Sequence, residues 1–289
     1  MSDLVIAGVD DSGQSMDAVA YAAREAAFRG AALRVVHAQA RPGRLPVDTV
    51  LPRAVVEGAR RTAESLVADA VLRARSTEPD VEVSGLVLPG EPLSVLEAQS
   101  RTAGMIVVGS RGHGGFAGLL LGSTATGLAA HARCPVLVVR EHADPAGPIL
   151  LAVDGSPAGA AAVRFALEEA TAQGAPVVAL HAWTTWNAQL PPPQDPSEPY
   201  SNPPGALAAA EERLLAEALA GTCELYPDVK VEHKVVRRPT REALIEASRT
   251  ARLTVVGSRG RGGFSGLLLG SVSQAVLHHA HSPVVVVRG

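Results

Sequence analysis

The stretch GSRGHGGFAGLLLGS, Gly109 to Ser123, returns almost unchanged as GSRGRGGFSGLLLGS, Gly257 to Ser271. Three further blocks return in the same order. LVIAGVDDS (Leu4 to Ser12) answers ILLAVDGS (Ile149 to Ser156), and LRVVHA (Leu33 to Ala38) answers VVALHA (Val177 to Ala182). HARCPVLVVR (His131 to Arg140) answers HAHSPVVVVR (His279 to Arg288). Four ordered blocks at so long a period describe a duplicated domain, not a solenoid of short repeats. The expected organisation is a first domain over residues 1–140, a linker over 141–148 and a second domain over 149–289. The linker, EHADPAGP, is polar, holds two prolines and has no hydrophobic period.

Each half alternates short apolar runs with helical patterns. In the first half strands are expected near 4–9, 33–38, 81–88, 105–109 and 135–140, and helices near 14–29, 51–76, 92–102 and 121–132. The strands are continuous runs of Val, Ile and Leu rather than alternating ones, which suits a parallel sheet buried on both faces. Gly30 stands where a helix is expected to end in a left-handed residue. Pro92 stands at a first helical position, where its missing N–H costs nothing. The fold class is therefore α/β, with two tandem open parallel-sheet domains carrying helices on both faces. The second half differs in WTTWNAQLPPPQDPSEPYSNPPGA, Trp183 to Ala206, whose seven prolines argue against helix and sheet. It reads as a long surface loop, either a tolerated insertion or a lid or partner segment that begins with both tryptophans.

The apolar fraction is 47% and the aromatic fraction 3%, so the core is aliphatic. A net charge of −3 gives no basic face for nucleic acid. Two cysteines, Cys134 and Cys223, make neither a disulfide framework nor a metal site with cysteine spacing, and suit a reducing compartment. The short apolar run at the N-terminus is flanked by acids, unlike a signal peptide. No stretch approaches the roughly 18 apolar residues of a membrane span. A cytoplasmic protein without membrane contact is expected.

The glycine-rich stretch carries the chemistry. It opens where a strand ends, at Val108-Gly109, and is nearly half glycine, so backbone N–H groups can turn inward and a ligand can approach without a Cβ in its way. It closes at Gly122-Ser123, the start of a helix, where unsatisfied amides and the helix dipole favour an anion. Loop amides, helix terminus and hydroxyl together describe a phosphate cradle. A Walker loop would need Lys, and neither copy has one. The dinucleotide pattern is met at Gly112, Gly114 and Ala117. The second copy has Ser265 at the last position, and the stretch follows a fourth strand rather than a first. That match is set aside.

The spacing Gly-x₂-Gly-x₉-Gly-Ser is met by Gly109, Gly112, Gly122 and Ser123, and again by Gly257, Gly260, Gly270 and Ser271. On these residues, on the first-strand Asp and on the closing P-V-x-V-V strand, the chain resembles the universal stress protein family, in its tandem, ATP-binding form. The resemblance spans both domains. It implies a Rossmann-like five-stranded sheet of order 3-2-1-4-5 in each, with ATP, alone or with Mg²⁺, in the crevice where the strand order reverses. In the first domain it implies that Gly8, Val9 and Asp10 hold the adenosine and Ala38 lines the adenine. Val108, Gly109, Arg111 and Gly112 would wrap ribose and phosphates, and Gly122, Ser123 and Thr124 would close the cradle. The second site would use Ala152, Val153, Asp154, Ala182, Val256, Gly257, Arg259, Gly260, Gly270, Ser271 and Val272. The resemblance also implies antiparallel pairing of the last strands, here an intrachain pseudo-dimer, and leaves room for a homodimer of chains.

Duller roles compete at several of these residues. Ser12 and Ser156 suit helix capping, while Asp10 and Asp154, one step earlier, suit ligand contact. Ser123 and Ser271 suit both capping and phosphate. Arg111 and Arg259 suit solvent or phosphate. His278, His279 and His281 look like a metal cluster, but the other copy has only His131, and cations near a helix C-terminus are favourable in themselves. Cys134, whose counterpart is Ser282, reads as a small buried side chain. Phosphoryl transfer would need Mg²⁺ ligands and a positioned base that the motifs do not supply. The expected function is an ATP-binding regulatory protein of a stress response rather than an enzyme. Slow hydrolysis or autophosphorylation, and a nucleotide-free interaction module, stand as alternatives.

Overall fold

The computed structural model describes residues 4–40, 52–112, 121–140, 144–185, 205–261 and 268–289. The chain divides into two compact units, Met1–Glu141 and His142–Gly289.

In the first unit the apolar runs form β1 (Leu4–Gly8), β2 (Ala32–Gln39), β3 (Val83–Pro89), β4 (Met105–Gly109) and β5 (Val136–Val139). They alternate with α1 (Gly13–Arg29), α2 (Arg53–Thr77), α3 (Pro92–Gln99) and α4 (Ser123–His131). The strands pair in the order β3-β2-β1-β4-β5, all parallel, with Val5 opposite both Leu33 and Met105. Helix α1 packs on α2, and α3 on α4, giving a helical layer on each face. Val5, Ile6, Leu33, Met105, Ile106 and Leu137 are buried between these layers. Each such side chain stabilises the fold by roughly 1.5–3 kcal/mol. That double burial is why the strands read as unbroken apolar runs.

The second unit repeats the plan with β6 (Ile149–Ala152), β7 (Val177–Trp183), β8 (Val231–Arg237), β9 (Leu253–Gly257) and β10 (Val284–Val287). Its helices are α5 (Ala160–Gln173), α6 (Ala206–Cys223), α7 (Thr240–Ala247) and α8 (Ser271–His279). The order is β8-β7-β6-β9-β10, again all parallel. Both units thus have the 3-2-1-4-5 sheet.

Helix ends follow the local chemistry. Ser12 caps α1, its Oγ accepting from the Ser15 amide at 3.2 Å. Ser156 does the same for Gly159, also at 3.2 Å. Gly30 and Gly174, each at φ 59°, close α1 and α5 in the left-handed region that a side chain would resist. Pro92 lies in the first turn of α3.

Two expectations are corrected. Trp183 is not loop: it is the last residue of β7, buried, with the Arg237 guanidinium 5.5 Å from its ring. Ala206 opens α6 rather than closing a loop. Residues 186–204, including Trp186, lie outside the described residues. Among the described residues no helix is long and apolar enough to cross a membrane.

Cys134 is buried, and burial pushes its thiol up to about 12. Only the thiolate is a good nucleophile. In the folded protein Cys134 is therefore expected to resist iodoacetamide at pH 8 for hours and to react within minutes in denaturant. Mass spectrometry of quenched samples checks this, and fast labelling in the native state would contradict the buried assignment.

Candidate nucleotide site

The first and fourth strands of each sheet are neighbours, so their C-terminal ends lie side by side. In the first unit β1 runs on through Val9, whose amide donates to Val36 O at 3.0 Å, and then turns at Asp10. Asp10 Oδ1 accepts from the Ser12 amide at 3.1 Å and from Ser12 Oγ at 2.5 Å. Its other oxygen faces the glycine loop: a Cβ built on Gly112 would run into Asp10 Oδ2. The second unit repeats this. Asp154 Oδ1 accepts from Ser156 N at 2.9 Å and Ser156 Oγ at 2.7 Å, and a Cβ on Gly260 would lie 2.5 Å from Asp154 Oδ2. The loop is bonded to this carboxylate: Arg261 N donates to Asp154 Oδ2 at 2.8 Å. The Arg261 guanidinium adds a bond to Gly155 O at 3.2 Å.

The far end of the loop returns to the same place. The Gly122 amide donates to Ser110 O at 2.8 Å, and the Gly270 amide to Ser258 O at 2.8 Å. Gly122 thereby comes within van der Waals reach of Arg111 and Gly112, and Gly270 within reach of Arg259. Residues 113–120 and 262–267, including His113, Gly114, Ala117 and Ser265, lie outside the described residues. Helices α4 and α8 start here with glycine as the cap residue and no side-chain capping bond. The capping role expected for Ser123 and Ser271 is thus corrected: both are the first helical residue, exposed, and one step too late to cap. In the second copy Ser273 Oγ also ties α8 to the strand end, donating to Gly257 O at 2.6 Å.

The remaining expected residues divide by what they offer. Gly8 lies at the end of β1, packed under Leu96 and Val108. Val9, Val108, Val153 and Val256 are buried. Ala38 and Ala182 stand two residues beyond the last pairing of the first strand, since Gly8 pairs Val36 and Ala152 pairs Leu180. Ala182 O accepts from Thr240 Oγ1 at 3.2 Å. Thr124 and Val272 are half-buried in the first turns of α4 and α8. Arg111 and Arg259 are exposed. The Arg140 guanidinium, after β5, is held below its ordinary value by burial and then by the nearby positive charge of Arg111.

Sequence reasoning missed several residues. Gln14 reaches the first loop, its Oε1 accepting from Arg111 N at 3.0 Å and Ser110 Oγ at 3.3 Å. It looked like any polar residue of a first helical turn. Arg261 gave no signal, because the repeat has His113 at the matching position. The buried His181 lies between Val153 O, 2.7 Å from Nδ1, and Glu211 Oε2, 2.6 Å from Nε2. Glu211 sits beyond the proline-rich segment, where no spacing links it to a histidine. His278 and His279 fall in the last turn of α8, where they complement the helix dipole. Among the described residues no three His, Cys, Asp or Glu side chains come together as a metal site.

The family model described as "Universal stress protein family" matches residues 1–140 and again 146–288. A universal stress protein of Mycobacterium tuberculosis is 37% identical over 294 residues, covering 98% of this chain and 96% of the relative. One of Mycolicibacterium smegmatis is 39% identical over 298 residues, with the same coverage. The fold is also similar to the crystal structure of a universal stress protein from Archaeoglobus fulgidus. The TM-score is 0.72 and the identity 19%, covering 99% of this chain and 96% of the other.

Proposed function

Since the chain belongs to the universal stress protein family, we propose that it is an ATP-binding regulatory protein with one nucleotide site in each of its domains, 1–140 and 149–289. The observation that carries the reading is the close approach of a carboxylate to the glycine loop, made twice. Asp10 Oδ2 and Asp154 Oδ2 occupy the space of a Cβ on Gly112 and Gly260. Such a fit supports a ligand that meets the carboxylate and the loop amides together. A ribose hydroxyl suits the first and phosphate oxygens the second. The uncapped starts of α4 and α8 supply further donors on the phosphate side. Arg111 and Arg140 supply positive charge at the first site. Mg²⁺, where present, would be carried by the phosphates, since the acids of each site are engaged within their own turns.

The same engagement favours binding over catalysis. A carboxylate that accepts from two donors of the following Ser, and in Asp154 from Arg261 N as well, is a weak base for activating water. Nucleotide occupancy would instead change the loops and, through them, the contacts of a cytoplasmic stress response.

The test is nucleotide content. The protein is purified without added nucleotide, then incubated with ATP, denatured, and the released nucleotide separated by chromatography. Recovery of ATP at about one molecule per domain is expected, with no ADP accumulating over an hour. ADP that accumulates in the wild type, but not after Asp10→Ala with Asp154→Ala, would replace this reading by a slow ATPase. Protein that never retains nucleotide would make the chain an interaction module.

A further inference from the structure

The two sites share a motif, but the opening helical turn of the first carries a side chain that the second does not have. In the first unit Gln14, in the opening turn of α1, reaches across to the glycine loop. Its Oε1 accepts from the Arg111 amide at 3.0 Å and from Ser110 Oγ at 3.3 Å. Its backbone also stands 3.2 Å from the place a Cβ on Gly109 would take, so helix turn and loop are in contact. The corresponding residue of the second unit is Ala158, which faces Gly257 in the same way through its carbonyl, 3.9 Å from that Cβ position. Alanine has no acceptor to offer Arg259, the counterpart of Arg111. The second loop is fastened two residues later, by Arg261 N on Asp154 and the Arg261 guanidinium on Gly155 O.

We infer that Gln14 is a positioning residue of the first site, which holds the Ser110–Arg111 backbone in its binding conformation and makes the two sites unequal in affinity. The inference rests on the nucleotide reading above and deepens it. A loop fixed before the ligand arrives loses less freedom on binding, so the ligand keeps more of its contact energy. The amide nitrogen that Gln14 fixes belongs to a residue whose neighbour, Gly112, meets the Asp10 carboxylate. Loosening one loosens the other. At the second site Ala158 offers the equivalent amide no side-chain acceptor.

Hydrogen exchange reads each loop separately. ATP, ADP, AMP and cyclic AMP are titrated in turn into the full chain, and amide exchange is followed over 105–112 and 253–261. In wild type, 105–112 is expected to be protected at lower ATP concentration than 253–261. Gln14→Ala should raise the ATP midpoint of the first loop roughly tenfold, the effect of losing two modest hydrogen bonds. It should leave the second within about twofold, since that loop is held by its own Arg261. Ala158→Gln should move the second loop in the opposite direction. Gln14→Glu separates positioning from mere stability. It keeps an acceptor for Arg111 N and Ser110 Oγ but sets a negative charge beside the loop, so ATP should weaken more than AMP while ligand-free exchange stays as in wild type. An unchanged first-loop midpoint in Gln14→Ala, or equal losses for ATP and AMP in Gln14→Glu, overturns the inference and leaves the nucleotide reading standing. Wild-type loops that none of the four nucleotides protects overturn both.

Discussion

Gly112→Ala should abolish nucleotide binding at the first site, and Gly260→Ala at the second, each while the chain still folds. Neither glycine is among those with positive φ, which are Gly30, Gly90, Gly155, Gly174 and Gly205 among the described residues. Alanine is therefore acceptable to the backbone, and the whole effect comes from the methyl group meeting the carboxylate. To make room, Asp10 must leave Ser12, and Asp154 must leave Ser156 and Arg261 N. Hydrogen bonds to a charged group are worth about 1.5–3 kcal/mol each. Displaced in this way, the carboxylate can no longer meet the ligand, and forfeiting two such bonds to a nucleotide costs at least about 3 kcal/mol, or more than 100-fold in affinity at that site. Calorimetric titration with ATP should therefore show each single variant binding one nucleotide fewer, and the double variant binding none. Both positions are exposed, beyond the C-terminal ends of β4 and β9, and the carboxylate's lost turn bonds should lower the melting temperature by roughly 10 °C without unfolding the chain. Gly58→Ala is the control: it lies in α2 with nothing near the new methyl, and it should leave binding unchanged. Wild-type affinity in both Gly112→Ala and Gly260→Ala would mean that the carboxylate and the loop do not share a ligand.

What was legible in the sequence, and what was not, follows from how far apart the partners lie in the chain. The strands were legible because burial on both faces leaves a continuous apolar run, as in MIVVG and VVVV. The ends of α1 and α3 were legible because Ser12, Gly30 and Pro92 act on amides within a few positions of themselves. The glycine spacing located the loop, and with the expected strand order it also brought Asp10 opposite. Errors appeared where one residue type suits neighbouring positions. Ser123 is a good cap by type, but the turn that returns Gly122 N to Ser110 O makes the glycine the cap residue. Trp183 was drawn into the loop by the prolines after it, although β7 continues through it to reach Arg237 of β8. Gln14 and Glu211 were beyond any local signal. Their partners lie 97 and 30 residues away, and neither has a periodicity to betray it.

Glu211 carries the largest expected loss of stability. His181 and Glu211 are both buried, at 6% and 3% exposure, and the two imidazole nitrogens each face an oxygen acceptor. The ring thus joins Val153 O and the Glu211 carboxylate into one unit across the sheet and α6. Glu211→Ala removes an acceptor and leaves the imidazole buried without that partner. Breaking one side of a buried pair typically costs about 3–5 kcal/mol. In a unit of this size that lowers its melting temperature by roughly 10 °C or more. The loss should be local. Hydrogen exchange should quicken over 177–183 and 206–223 and stay unchanged over 32–39, where His37 bonds Val9 O in the other unit. Replacing both partners by leucine should return most of the stability, since a buried pair is often no better than an apolar pair of similar volume. Function should not return with it. Val153 immediately precedes Asp154, and the bond from His181 to its carbonyl helps to fix where that carboxylate points. The His181→Leu, Glu211→Leu protein is expected to melt near wild type and to bind nucleotide more weakly at the second site alone. Equal loss of stability in the double variant and in Glu211→Ala would show that packing at this place, and not the pairing, is what the fold requires.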